Sequence, residues 1–158
     1  MAQNKAKKLP PPPNQAGSPN WLHLDQQLCF AFYSASLAMT KQYKPLLAPL
    51  GLTYPQYLVM LVLWEASPTS VNEVGKRLSL DSGTLTPLLK RLEASGLISR
   101  QRDSDDERRV LVSLTPKGQQ LKQDAQSVPQ AIACQVGLGL EDITALRGTL
   151  QRIKEQIR

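Results

Sequence analysis

LDSGTLTPLLKRLEASGLISRQRDSDDERRVLVSLTPKG, residues 80–118, is the stretch on which the fold turns. Leu85, Leu88, Leu89 and Leu92 fall at i, i+3, i+4 and i+7, which gathers apolar side chains on one face of a helix. Gly96 stands where a left-handed cap ends such a helix. Pro87 leaves the start open. A helix beginning at Ser82 loses an internal hydrogen bond there, whereas one beginning near Thr84 holds the proline in its tolerated first turn. LISRQ (97–101) and VLVSL (110–114) then read as a short hairpin about the charged loop DSDDER, Val110, Val112 and Leu114 alternating with Leu111 and Ser113. Thr115 is placed to N-cap the next helix, with Pro116 at its first position.

Upstream, Thr53, Tyr54 and Pro55 suit the first turn of a helix carrying Tyr57, Met60, Leu61 and Trp64, which Ser67-Pro68 breaks. A short helix with Val71, Val74 and Leu78 on one face follows. From Trp21 onward, Leu22, Cys29, Ser36 and Tyr43 repeat at seven-residue intervals beside a row of Asp25, Phe32 and Met39. That predicts one helix of about twenty residues running towards Pro45, with Cys29 in its middle. Downstream, the helix opened by Thr115 runs towards Cys134 with a bend at Pro129, and a last one spans about 140–157 with Ile143, Leu146, Leu150 and Ile153 on one face. Residues 1–20 hold five of the twelve prolines and little apolar surface, so a disordered basic arm is expected there. The fold class expected of 21–158 is mainly α with a small β-hairpin wing, a winged helix-turn-helix over about 52–115.

Composition narrows the chemistry. Apolar residues at 41% and charged residues at 20% of 158 residues suit one domain with a buried core. The longest apolar run, Tyr57–Trp64, is far below the ~20 residues that span a bilayer, and no signal peptide is legible. Cytoplasm is the expected location. Two cysteines make no disulfide scaffold, and a single histidine, His23, leaves little for a metal site or a Ser-His-Asp hydrolase. No metal or cofactor is expected. The net charge of +6 favours a polyanionic partner, and residues 76–102 carry six basic side chains against two acidic ones.

On the helix after Asp81, the small hydroxyls of Ser82, Thr84 and Thr86 suit close approach to base edges, while Lys90 and Arg91 suit phosphates. A loop bearing Asp103, Asp105, Asp106 and Glu107 repels DNA unless some acids orient arginines such as Arg108. Cys29 stays open at this level. A free cysteine on a helix is commonly a small core hydrophobe, whereas a reactive one needs exposure and nearby donors, which Tyr33 at i+4 can supply.

The run 80–118 resembles the winged helix-turn-helix core of MarR-type transcriptional regulators. LDQQLCFAFYSASLAMTKQYKPLLAPLGLTYPQYLVMLVLWE resembles, more narrowly, the organic-hydroperoxide-resistance repressors within that family. The similarity covers about residues 22–157 and leaves the N-terminal arm without a counterpart. It implies a homodimer joined through helices at about 22–45 and 116–157, repressing from a pseudo-palindromic operator. Ser82, Thr84 and Thr86 would then touch major-groove edges, and Arg108, held by Asp106, would enter the minor groove. It further implies that Cys29 is the peroxide-reactive thiol, with Tyr33, Tyr43 and Tyr54 bonding to it or lining its pocket. Cys134 of the other subunit would be its resolving partner, an organic hydroperoxide the oxidant and cellular thiols the reductant. Two rivals remain: a MarR-type repressor induced by a reversibly bound phenolic ligand, and a thiol peroxidase using the same cysteine pair.

Overall fold

The computed structural model describes residues 22–157, so the expected arm at 1–20 lies outside the described residues. The chain divides at Leu37/Ala38 into two compact units. In the first, a single 3₁₀ turn at Leu24–Gln26 precedes helix α1 (Leu28–Leu47), whose second half belongs to the other unit. The sequence reading started this helix too early. Extended backbone at Gln27 separates the two elements, which leaves Leu22 and Asp25 outside α1 and puts Cys29 in its first turn rather than mid-helix. Pro45 is accommodated inside α1, two residues before its end at Leu47.

The second unit is built around helices α2 (Tyr54–Glu65), α3 (Val71–Leu78) and α4 (Ser82–Ala94). At the start of α2, Gln56 Oε1 accepts from the Thr53 backbone N–H (2.8 Å) and hydroxyl (2.9 Å), and Pro55 sits where no intrahelical donor is required. Ser70 caps α3 by accepting the Glu73 N–H. Helix α4 starts at Ser82, the earlier of the two starts considered, because Asp81 caps it; Pro87 therefore lies inside. Gly96 (φ +71°) ends it in the left-handed conformation.

Strands β2 (Ile98–Arg102) and β3 (Val110–Leu114) form the wing hairpin, with Arg100 opposite Val112. A two-residue strand not expected from the sequence, β1 (Thr69–Ser70), pairs antiparallel with the far edge of β3 and gives the order β1-β3-β2. The expected single helix from Pro116 is two. Helix α5 (Pro116–Asp124) ends at Ala125, and α6 (Ser127–Val136) starts two residues on. The bend at Pro129 is absent because that proline falls in the first turn of α6, where a missing N–H costs nothing. Helix α7 (Leu140–Gln156) follows.

Leu47, Met60, Leu63, Leu85, Leu92 and Val112 form the centre of one buried cluster. Leu85, Leu89 and Leu92 of the predicted α4 stripe are all inside it, and Leu88 packs at its margin. Burying a side chain of this size is worth ~1.5–3 kcal/mol, so the cluster holds α4 firmly and leaves its polar face outward. This is a winged helix-turn-helix. Among the described residues, no single helix is long and apolar enough to cross a membrane.

Candidate functional site

The outer face of α4 begins at its cap. Asp81 Oδ1 accepts the Thr84 N–H (2.9 Å) and Oδ2 accepts the Thr84 hydroxyl (2.8 Å). Those bonds hold the Asp81 carboxyl below its ordinary range. One turn on, the Thr86 hydroxyl donates to the Ser82 carbonyl (2.7 Å). Both threonine protons are thus committed within the helix. What they offer outward is oxygen lone pairs and methyl groups, which suit base amino groups and the thymine methyl. Ser82, Lys90 and Arg91 are exposed on the same element.

In the wing, the Asp106 Oδ1 accepts from both the backbone N–H and the Nε of Arg108, each at 3.1 Å. The carboxylate is held below its ordinary range by those bonds, while the Arg108 side chain stays 92% exposed. Two further pairs were not legible in the sequence. Asp103, only 12% exposed, faces Arg109 Nε at 3.7 Å and accepts the Asp105 N–H, so it organises the loop from within. Glu93 near the end of α4 accepts from Arg100 on β2 through the backbone N–H (3.1 Å), Nε (3.0 Å) and Nη2 (2.5 Å). Side-chain and charge interactions with Arg100 hold the Glu93 carboxyl low. Recognising that pair requires knowing that the turn at Gly96 folds β2 back on α4. Arg100, Arg108 and Arg109 line a cavity of about 200 Å³ with Asn72 and Thr86, between α3, α4 and the wing root.

The thiol residues fall into the two units. Cys29 and Tyr33 are one turn apart on the first half of α1, both exposed. The Ala31 N–H bonds back to the Gln27 carbonyl, which places Cys29 in the first turn of α1. Cys134 is exposed near the end of α6.

In the second unit Tyr43 and Tyr54 are brought together, ring centroids 4.5 Å apart, and Tyr57, expected only in the core, stands 5.9 Å from Tyr43. Burial pushes all three phenols up, Tyr43 also through its two neighbours, so they remain O–H donors at neutral pH. Beside Tyr54 opens a mostly apolar cavity of about 560 Å³, with Lys41 and Lys44 on its wall. Among the described residues no group of three or more His, Cys, Asp or Glu side chains is placed to hold a metal.

Residues 41–125 match the family model described as transcriptional regulator SarA/Rot. The chain is 49% identical over 144 residues to the HTH-type transcriptional regulator TtmR of Methylorubrum extorquens, covering 91% of this chain and 74% of that protein. It is 48% identical over 136 residues to the organic hydroperoxide resistance transcriptional regulator of Bacillus subtilis, covering 86% and 92%. Among solved structures, AbfR of Staphylococcus epidermidis is 40% identical. Its reduced, DNA-bound form superposes with a TM-score of 0.69 over 85% of this chain and 96% of that one. Its disulfide-formed structure gives 0.60 over 82% and 91%.

Proposed function

The chain belongs to the MarR-type family of winged helix transcriptional regulators, and on that premise we propose that it is a repressor released from its operator by oxidation of Cys29. One observation carries the reading. An exposed thiol opens α1 in a chain 48% identical to an organic hydroperoxide resistance regulator over nearly that protein's whole length. The relatives are regulators and not enzymes, so peroxide is a signal rather than a substrate to be turned over.

In the reduced state two copies pair and present their α4 helices to operator half-sites about one helical turn apart, ~34 Å. The apolar residues left open on α7 support that pairing: Leu146 is 50% and Leu150 40% exposed, on the face the sequence marked as apolar. Ser82, Thr84 and Thr86 meet base edges, Lys90 and Arg91 neutralise phosphates, and Arg108, clipped by Asp106, enters the minor groove.

The Cys29 thiolate attacks the outer oxygen of an organic hydroperoxide. The O–O bond breaks, the alcohol leaves after protonation, and the sulfur becomes a sulfenic acid. Tyr43 and Tyr54, still protonated, are the phenols suited to donate to the thiolate or the departing alkoxide, and Tyr33 flanks the thiol on α1. The thiol of Cys134 from the other subunit then condenses with the sulfenic acid, forming an S–S bond and releasing water. Closing that bond requires Cα atoms within about 7 Å, and the resulting shift of helices moves the paired α4 helices off their half-sites. A hundredfold loss of affinity asks for only ~2.8 kcal/mol between the two states. Cellular thiols reduce the disulfide and restore binding.

The test is fluorescence anisotropy of the chain's upstream DNA with reduced protein, then one equivalent of organic hydroperoxide, then dithiothreitol. The wild type binds, is released and rebinds. Cys29→Ser binds and is not released, and Cys134→Ser gives no inter-subunit disulfide on a non-reducing gel. Release of Cys29→Ser by peroxide overturns the reading. The cavity beside Tyr54, apolar with two lysines, favours a second reading, a reversibly bound phenolic acid as inducer. In that case Cys29→Ser keeps its response to the acid.

A further inference from the structure

Helix α4 needs nothing from outside to end. The Ser95, Gly96 and Leu97 N–H groups already close it on the Arg91, Glu93 and Leu92 carbonyls. Yet the carbonyls of these same three residues are all taken by the start of α5. Ser95 O accepts from Lys117 Nζ (2.8 Å), Gly96 O from the Thr115 hydroxyl (2.7 Å) and Leu97 O from the Thr115 N–H (3.1 Å). At Gly118 the two segments touch so closely that a Cβ would land on the Leu97 carbonyl oxygen.

The other side of α5 is bonded to the end of α2. Trp64 Nε1 donates to Gly118 O (2.9 Å), and Lys122 Nζ donates to Trp64 O (2.8 Å). Beyond α5, Ala125 and Val128 enter the main core cluster, and six residues later the chain reaches Cys134. The nine residues of α5 are therefore bonded to the C-terminal ends of two helices of the DNA-reading unit and continue, after a two-residue break, into the helix that bears a thiol.

We propose that this clasp is the coupling that carries displacement of α6 into α4, with Lys117 and Lys122 as its positioning residues; the proposal rests on the disulfide reading above. Neither lysine is part of the buried core, and the α4 cap survives without either, so their removal loosens α5 without unmaking the helix it holds. A rigid α5 turns a pull at Cys134 into a tilt of α4. An α5 free to pivot absorbs the pull.

The experiment measures operator Kd for the full chain, reduced and fully oxidised, with disulfide yield read on a non-reducing gel. The readout is the ratio of the two Kd values, in which any loss of phosphate attraction common to both states cancels. The wild-type ratio is expected at about a hundredfold, within the usual range of allosteric coupling. Lys117→Met combined with Lys122→Met should bring it below ~10-fold with full disulfide formation, and Lys117→Arg in place of the methionine should restore part of it. Trp64→Phe, which deletes the indole bond without touching charge, should lower the ratio in the same direction. An unchanged ratio in the double methionine variant at full disulfide yield overturns the clasp. A wild type that forms no disulfide, or is not released on forming it, overturns the thiol reading instead and takes the proposal with it.

Discussion

Arg108 shows how a charged loop is made compatible with DNA. Its guanidinium is held at one edge by Asp106 and is otherwise in solvent, so in the proposed complex it would enter a groove with part of its ordering already done. Arg108→Ala should weaken operator binding about ten- to a hundredfold, measured by anisotropy at matched salt. Because the Asp106 carboxyl is depressed when folded, the clip is in force above the ordinary carboxyl range and is lost only as pH falls through the lower folded value. Binding across the neutral range should therefore carry no titration of the Asp106 clip. The acids of this loop were legible as orienters of arginine from charge alone. The division of labour among them was not, since it depends on Asp103 turning inward while Asp106 stays at the tip.

Elements were legible where sequence period and punctuation agreed. The α4 stripe, the wing hairpin, the Thr115 cap and α7 all combine a periodic apolar pattern with a cap, a turn or a break at the right place. The reading failed where it had only one of the two. The heptad row from Leu22 carried no stop signal, so the extended Gln27 that delays α1 was invisible. The break between α5 and α6 lies at Ala125 and Gln126, residues with no breaking tendency, while Pro129 drew attention to the wrong position. Strand β1 is two residues long, too short for any alternation, and exists because β3 has an edge to offer it. Packing fixes these features. Gly118 is another such case, a helix glycine that nothing in the sequence marks out. Gly118→Ala should cost ~3 kcal/mol or more in urea unfolding, the upper end for overpacking, because the obstructing atom is backbone and cannot rotate away.

At the scale of the whole molecule, the chain carries more apolar surface than one copy covers. Leu28 and Leu37 are exposed on α1, and Leu140, Leu146 and Leu150 on α7, none of them in the buried cluster that holds α4. If the proposed pairing uses this face, Leu146→Glu combined with Leu150→Glu should shift the sedimentation of the protein from dimer to monomer and abolish tight operator binding, while the winged core, which includes neither residue, keeps its fold. The sequence placed both leucines on one helix face, and the general resemblance supplied the partner. What neither could supply was the set of bonds that ties α5 to α2 and to the segment after α4, because hydrogen bonds from side chains to carbonyls leave no periodic trace.

One of those bonds has an optical consequence. Trp64 is nearly buried at the junction of α2 and α5, its indole N–H on the Gly118 carbonyl and its own carbonyl on Lys122. Any excursion of α5 exchanges that carbonyl for water and changes the dielectric around an emitting ring. The protein thus carries a fluorophore at the junction of α2 and α5, and in the proposed mechanism the passage between bound and released forms would change its intrinsic emission.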